Sequence, residues 1–182
     1  MPFGLRMPRI FYPHNSQTKS FTKFVIILGI DPGTASTGYG IVEKIKNGFK
    51  CLGCGVIHTE AGRPAAERLQ RLNNELNKII KIYRPQVMSV ENVYFFRNLK
   101  TVMPVSQAKG VILLTAAKKN LIIKEFTPLQ VKLAVTGNGW AEKEKVQEKI
   151  KKILKLKEAP KSDDAADALA IALTYVMKKE AA

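Results

Sequence analysis

Phe24-Val25-Ile26-Ile27-Leu28-Gly29-Ile30-Asp31-Pro32-Gly33 is the stretch from which the remainder of the chain can be read. Its unbroken apolar run is halted by an acid and a Pro-Gly pair, which predicts a strand over residues 24–31 buried on both faces. The run is well short of the ~18–20 apolar residues that cross a bilayer. A strand apolar on both sides needs cover on both sides, and in open α/β sheets helices supply it.

Working outward, residues 38–45 and 50–58 read as two further strands, with Asn47-Gly48 as their hairpin turn. Three sequential strands with short connections predict antiparallel pairing at one side of a sheet. Leu69, Leu72, Leu76, Ile79, Ile80 and Tyr83 then recur at helical spacing, and Pro85 ends that helix. Residues 86–91 form a fourth predicted strand. A helix rich in small apolar residues follows, beginning after Arg97 and running through 107–119. Residues 121–126 form the fifth strand, and helices are expected over 128–135, 142–154 and 162–177. Hairpin strands followed by strand–helix alternation give an α/β layered domain on a mixed five-stranded sheet flanked by helices.

Residues 1–23 break this order. They hold three prolines, four basic residues and no acid, which reads as a basic, disordered extension ahead of a single domain over 24–182. Across the chain, thirty Lys and Arg face fifteen Asp and Glu, a formal charge of +15. Since the extension carries only four of those cations, the excess belongs to the domain. A polyanion such as nucleic acid is the partner this balance fits, because binding it releases condensed counterions. No basic amphipathic helix with an aromatic face points to a membrane.

Cys51 and Cys54 are the two cysteines. Cys-Leu-Gly-Cys is half of a zinc site with no second pair to complete it. On a regular strand, positions i and i+3 point to opposite faces. Both are expected to be reduced thiols, which places the chain in the cytoplasm.

Four acids merit separate attention. Asp31 ends the first strand, at the carboxyl edge where open α/β sheets place their sites; the plainer alternative is an Asp opening a turn. Glu91 ends the fourth strand, and if the two strands are parallel neighbours both acids emerge at the same edge. Asp164 and Asp167 share one face of the last helix. Ser162 capping that helix and acids favouring its dipole would account for Asp164. Asp167 lies beyond the first turn on a helix of Ala, Leu and Ile, where an unpaired carboxylate is costly. Something cationic should meet it, either a lysine or a divalent metal. Carboxylates without histidines make a hard oxygen site suited to Mg²⁺, with Mn²⁺ able to substitute. Two such ions suit phosphodiester hydrolysis.

The ordered motifs resemble one family. Residues 26–33, Gly38-Tyr39-Gly40, Val90-Glu91-Asn92-Val93-Tyr94 with Asn98, Gln107-Ala108-Lys109-Gly110, Gln130-Val131-Lys132 and Asp164-Ala165-Ala166-Asp167-Ala168-Leu169-Ala170 are similar, in order and spacing, to the RuvC crossover junction endodeoxyribonucleases. That resemblance implies a ribonuclease H-like fold and a homodimer nicking two opposing strands of a four-way (Holliday) junction. It also implies partnership with the branch-migration proteins RuvA and RuvB. Carried over by motif, Asp31, Glu91, Asp164 and Asp167 become catalytic metal ligands. Tyr94 becomes an aromatic beside the opened junction, with packing of the Tyr94-Phe95-Phe96 run as the alternative. Lys132 and Lys143 become cations near the scissile phosphate, with a solvated helix face as theirs. Asp163, directly before the closing pair, leaves a one-residue ambiguity in the ligand set.

Other readings make different demands. Asp31-Pro32-Gly33-Thr34 is similar to the phosphate loop of sugar-kinase and actin-like ATPases, which need a second domain of similar size. A nuclease of the same fold acting on single strands or RNA would lack junction preference. A basic architectural DNA binder would ignore metal and never cut.

Overall fold

A computed structural model describes residues 24–33, 35–92 and 99–180, with residues 99–101 and 180 as backbone only. The expected basic extension over 1–23 lies outside the described residues, as do Tyr94, Phe95 and Phe96. The elements are β1 (Val25–Asp31), β2 (Ser36–Ile45), β3 (Gly48–His58), α1 (Ala65–Tyr83), β4 (Val87–Glu91), α2 (Leu99–Lys118), β5 (Ile122–Phe126), α3 (Pro128–Thr136), α4 (Lys143–Ile153) and α5 (Asp163–Glu180).

The strands form one five-stranded sheet in the order β3-β2-β1-β4-β5. β2 runs antiparallel to both β1 and β3, whereas β4 and β5 run parallel to β1. The mixed sheet expected from the sequence is therefore the one found. The β2–β3 turn closes with Ile45 opposite Gly48, and Gly48 takes φ +121°, a conformation open to glycine. α1 stops where Arg84 turns left-handed at φ 49° and returns its N–H to the Ile80 carbonyl, just ahead of Pro85.

Helices cover both faces of the sheet. On one face Ile27, Val42 and Val87 pack with the buried residues of α3, α4 and α5. On the other, Leu28, Ile30, Ile41, Met88 and Val90 pack with α1 and α2. α5 lies across β1 and β2 at backbone contact, which three glycines make feasible. A Cβ on Gly29 would stand 2.0 Å from the Ala168 carbonyl oxygen, one on Gly38 would stand 2.0 Å from that of Asp164, and one on Gly40 would stand 2.7 Å from the Leu169 nitrogen. Two glycines of β3 are crowded differently. Their absent Cβ atoms would meet side chains, the Tyr83 hydroxyl at Gly53 (2.5 Å) and the Tyr39 hydroxyl at Gly55 (2.7 Å).

The cysteine geometry corrects the regular-strand expectation. Ile41 pairs with Gly53 but Val42 pairs with Cys51, so β3 carries a bulge at Leu52. The extra residue returns Cys51 and Cys54 to the same face, packed against the α5 side. Both are free thiols. The Cys51 thiol donates to Cys54, holding Cys54 down at about 7 and pushing Cys51 up.

Candidate active site

Strand parity fixes where the two strand-end acids point. Ile27 and Val87 face α5, whereas Leu28, Ile30, Met88 and Val90 face away. Counting by twos, Gly29 and Asp31 on β1, and Ser89 and Glu91 on β4, all face α5. The parallel register pairs Ile30 with Val90, so Asp31 and Glu91 follow one another onto the same sheet edge. Both are half-buried.

α5 brings the other acids to that edge. Because the Asp164 carbonyl rests where a Cβ of Gly38 would be, the helix start is fixed against the strand that leaves Asp31, and Gly38 itself pairs with Asp31. Ser36 Oγ donates to Asp164 Oδ2 at 2.6 Å, so β2 orients that carboxylate through a side chain as well as through its backbone. Asp167, one turn on, meets Lys143 Nζ at 3.3 Å. The cation required by its apolar setting is thus a lysine at the start of α4.

Asp163 goes elsewhere. Its carboxylate accepts from Gln147 Nε2 (2.9 Å) and pairs with Lys143 (3.2 Å) on the outer side of α5, with its side chain 66 % exposed. These contacts hold it below the usual carboxylate range. It does not enter the field felt at Asp31, where Asp167 and Asp164 are the acids that act.

The electrostatics report the convergence. Burial, then the charges of Asp167 and Asp164, push the Asp31 carboxyl up to about 7 against the pull of Lys143. Burial, then Asp31 and Asp167, push Glu91 up to about 8. Burial also raises Asp167, although Lys143 opposes it. Lys143 itself is raised: burial works against its charge, but Asp167 and Asp163 outweigh burial. Perturbed carboxylates gathered at a sheet edge mark a functional site on physical grounds.

The all-oxygen donor set and its mutual repulsion fit a hard divalent cation, which would replace the protons held by Asp31 and Glu91. Among the described residues, no group of three or more His, Cys, Asp or Glu side chains is gathered tightly enough to hold a metal as it stands. The acids share an edge without forming a finished coordination shell.

Two further residues shape the edge that motif matching left without roles. Ser36 is one. Lys109 on α2 is the other: it pairs with Glu125 of β5 and donates to Asn92 Oδ1 at 2.8 Å. The Asn92 N–H meanwhile bonds the Phe126 carbonyl at 2.8 Å. Glu91 is thereby followed by a tethered residue. Lys132, expected near a phosphate, is half-buried on α3 and its carbonyl lies 2.8 Å from Thr136 Oγ1. Tyr94, the remaining expected contact, lies outside the described residues.

Comparison with known proteins follows the same outline. The family model described as Crossover junction endodeoxyribonuclease RuvC matches residues 27–175. The protein of that name from Pelotomaculum thermopropionicum is 52 % identical over 151 residues, covering 83 % of this chain and 92 % of that protein. Its counterpart in Fusobacterium nucleatum is 47 % identical over 150 residues, covering 82 % and 79 %. The solved structure of T. thermophilus RuvC in complex with Holliday junction substrate superposes with a TM-score of 0.82 at 34 % identity, over 86 % of this chain and 96 % of that one.

Proposed function

As a member of the RuvC family of crossover junction endodeoxyribonucleases, the chain has a function we propose to be the resolution of four-way DNA junctions by metal-assisted phosphodiester hydrolysis. Family membership also gives it the ribonuclease H-like fold. The observation that carries the site assignment is the arrival of Asp31, Glu91, Asp164 and Asp167 at one sheet edge, with proton affinity raised to about 7 at Asp31 and about 8 at Glu91.

In this reading the four carboxylates hold Mg²⁺, two ions per site, with Mn²⁺ as a substitute. Bound there, the metal would lower the proton affinity of the attacking water and neutralise charge on the departing 3′ oxygen. The chain's own residues do the rest. Asp31 and Glu91 give up their protons to create the charged edge. Ser36 keeps Asp164 turned inward. Lys143 neutralises Asp167 in the free chain, and its flexible stem lets the ammonium turn to the scissile phosphate. Lys132 supports the backbone of the same strand, and Tyr94 stacks on a base beside the opened junction.

Symmetric nicking needs two sites, hence a homodimer. Along α2, Met103, Gln107, Gly110 and Leu114 form an exposed stripe at helical spacing, with Met103 66 % and Leu114 55 % exposed. Gly110 leaves open space there, so a second copy's helix can approach closely. Partnership with RuvA and RuvB rests on the family alone. No helix of the described residues is long and apolar enough to cross a membrane. The cytoplasm is the compartment we propose, on the DNA substrate alone.

The test is cleavage of a synthetic four-way junction, each strand end-labelled in turn, with Mg²⁺ or EDTA and beside linear duplex. Paired symmetric nicks restricted to the junction and abolished in Asp31→Asn are expected. Binding without cleavage under every condition would identify an architectural protein. Equal cutting of all substrates would identify an unselective nuclease.

A further inference from the structure

Trp140 is the one tryptophan of the chain, and it is 82 % exposed. Large aromatic side chains ordinarily bury much of their surface, so an indole this bare invites a partner. It sits on the loop between α3 and α4, and the loop is firmly built. Gly137 turns left-handed at φ 78° and caps α3 through its N–H to the Leu133 carbonyl, at 2.9 Å. Asn138 N–H donates to Thr136 Oγ1 at 3.1 Å, and Trp140 N–H donates to Asn138 Oδ1 at 3.0 Å. The next residue, Ala141, is 3 % exposed and anchors the far side. The backbone beneath the indole is therefore fixed, and little of its order has to be acquired on binding.

The position points to what binds. Trp140 precedes Lys143 by three residues, a span of at most ~10 Å, and Lys143 Nζ reaches Asp167 at 3.3 Å. Adding the lysine side chain (about 6 Å) and its contact with Asp167 keeps the Trp140 backbone within about 20 Å of that acid. That is about six rises of B-DNA at ~3.4 Å each, so a strand whose phosphate lies at the acid edge can reach the indole. The cations of the neighbourhood, Lys132, Lys143 and Lys145, suit a phosphate backbone; Glu142 and Glu144 beside them are exposed to solvent. Leu129 and Leu133, 46 % and 49 % exposed on α3, extend the apolar surface, and Leu129 packs under Gly139.

We propose that Trp140 stacks on an unpaired base of the strand entering the acid edge, next to the crossover. Inside a continuous duplex each base is already sandwiched by its neighbours, so an indole finds a free face only where stacking is broken. Trp140 is then a selectivity contact, distinguishing junction from duplex without reading sequence, since every base has a π-face. The inference rests on the junction-resolving reading above.

Its test uses the full chain in EDTA, with a fluorescein-labelled junction and a labelled linear duplex. Binding is read by fluorescein anisotropy and, in the same cuvette, by tryptophan emission, which reports Trp140 alone. Saturation with junction should quench the emission, whereas equal occupancy by duplex should not. Trp140→Ala should weaken junction binding ~5- to ~140-fold, the equivalent of ~1–3 kcal/mol for one stacked base. It should leave duplex binding within about twofold, and Trp140→Phe should recover most of the loss. Unchanged emission on a junction that anisotropy shows to be bound would overturn the stacking assignment alone. An indole that responds only to rising chain concentration would mark a self-association surface and overturn it too. No junction preference by anisotropy would overturn the resolvase reading and this inference with it.

Discussion

Replacing Asp31 by Asn removes an ionisable group from an edge that resists charge, and the effect on stability should depend on pH. The Asp31 carboxyl is raised from 3.8 to about 7, by burial first and by Asp167 and Asp164 next. Each unit is worth about 1.4 kcal/mol, which sets a ceiling of about 4 kcal/mol. Proton uptake at Glu91 and partial solvent access relieve part of this, leaving about 2 kcal/mol. Between pH 4 and 7 the folded chain binds a proton at Asp31 that the unfolded chain has released. The wild type therefore loses stability as pH rises through that window and does not regain it above. The Asp31→Asn variant, with no proton to lose at this position, escapes that decline. In EDTA the variant should melt close to the wild type at pH 4 and about 4–8 °C above it at pH 8, at ~2–4 °C per kcal/mol for a chain of this size. Adding Mg²⁺ at pH 8 should raise the wild type and leave the variant where it was. Thermal scans from pH 4 to 8 provide the measurement. A gap that is constant with pH, or a variant less stable at pH 8, would refute the claim that Asp31 is held against its charge.

Gly38→Ala drives a methyl to within 2.0 Å of the Asp164 carbonyl oxygen; denaturant titration should show a loss of at least ~1–3 kcal/mol, and junction cleavage should fall further than junction binding. Ser36→Ala removes the 2.6 Å bond to Asp164, a charge-assisted contact worth ~1.5–3 kcal/mol. Its cleavage rate should drop about tenfold or more while anisotropy shows junction binding within about twofold; unchanged cleavage would deny Ser36 its orienting role. Ser89, fully buried on β4, has a hydroxyl with no partner among the described residues. Ser89→Ala should be neutral or up to ~1 kcal/mol more stable by urea titration, and a clear destabilisation would reveal a partner for that hydroxyl.

Much of this architecture was legible because it rests on local signals. The apolar run ending at Asp31 and the strand ending at Glu91 announce themselves by composition, and the acid edge follows once the two strands run parallel. Asp167 declared its need for a cation by sitting on an apolar helix, and Lys143 answers it. What stayed hidden depends on pairing partners distant in sequence. The bulge at Leu52 exists because of how β3 meets β2, and period-two counting along β3 alone placed Cys51 and Cys54 on opposite faces. Ser36 lies 128 residues from Asp164, and nothing in its neighbourhood foretells that bond. Lys109 could be matched as part of a motif, but its hold on Asn92 and Glu125 appears only when α2 packs beside β5. The exposed Trp140 carried no periodic or motif signal at all.

The glycines under α5 and those of β3 should behave differently under genetic selection. Where an added methyl meets the end of a tyrosine, as at Gly53 and Gly55, a second substitution that shortens Tyr83 or Tyr39 makes room, so suppressors should be common and predictable. At Gly29, Gly38 and Gly40 the nearest atoms are main-chain carbonyls and nitrogens of α5, which no substitution can trim. A chain disabled at Gly38 has few routes back other than glycine itself. Any other repair must displace the whole helix, and Asp164 and Asp167 travel with it. The two helix acids of the candidate site are thus secured by three positions that carry no functional group.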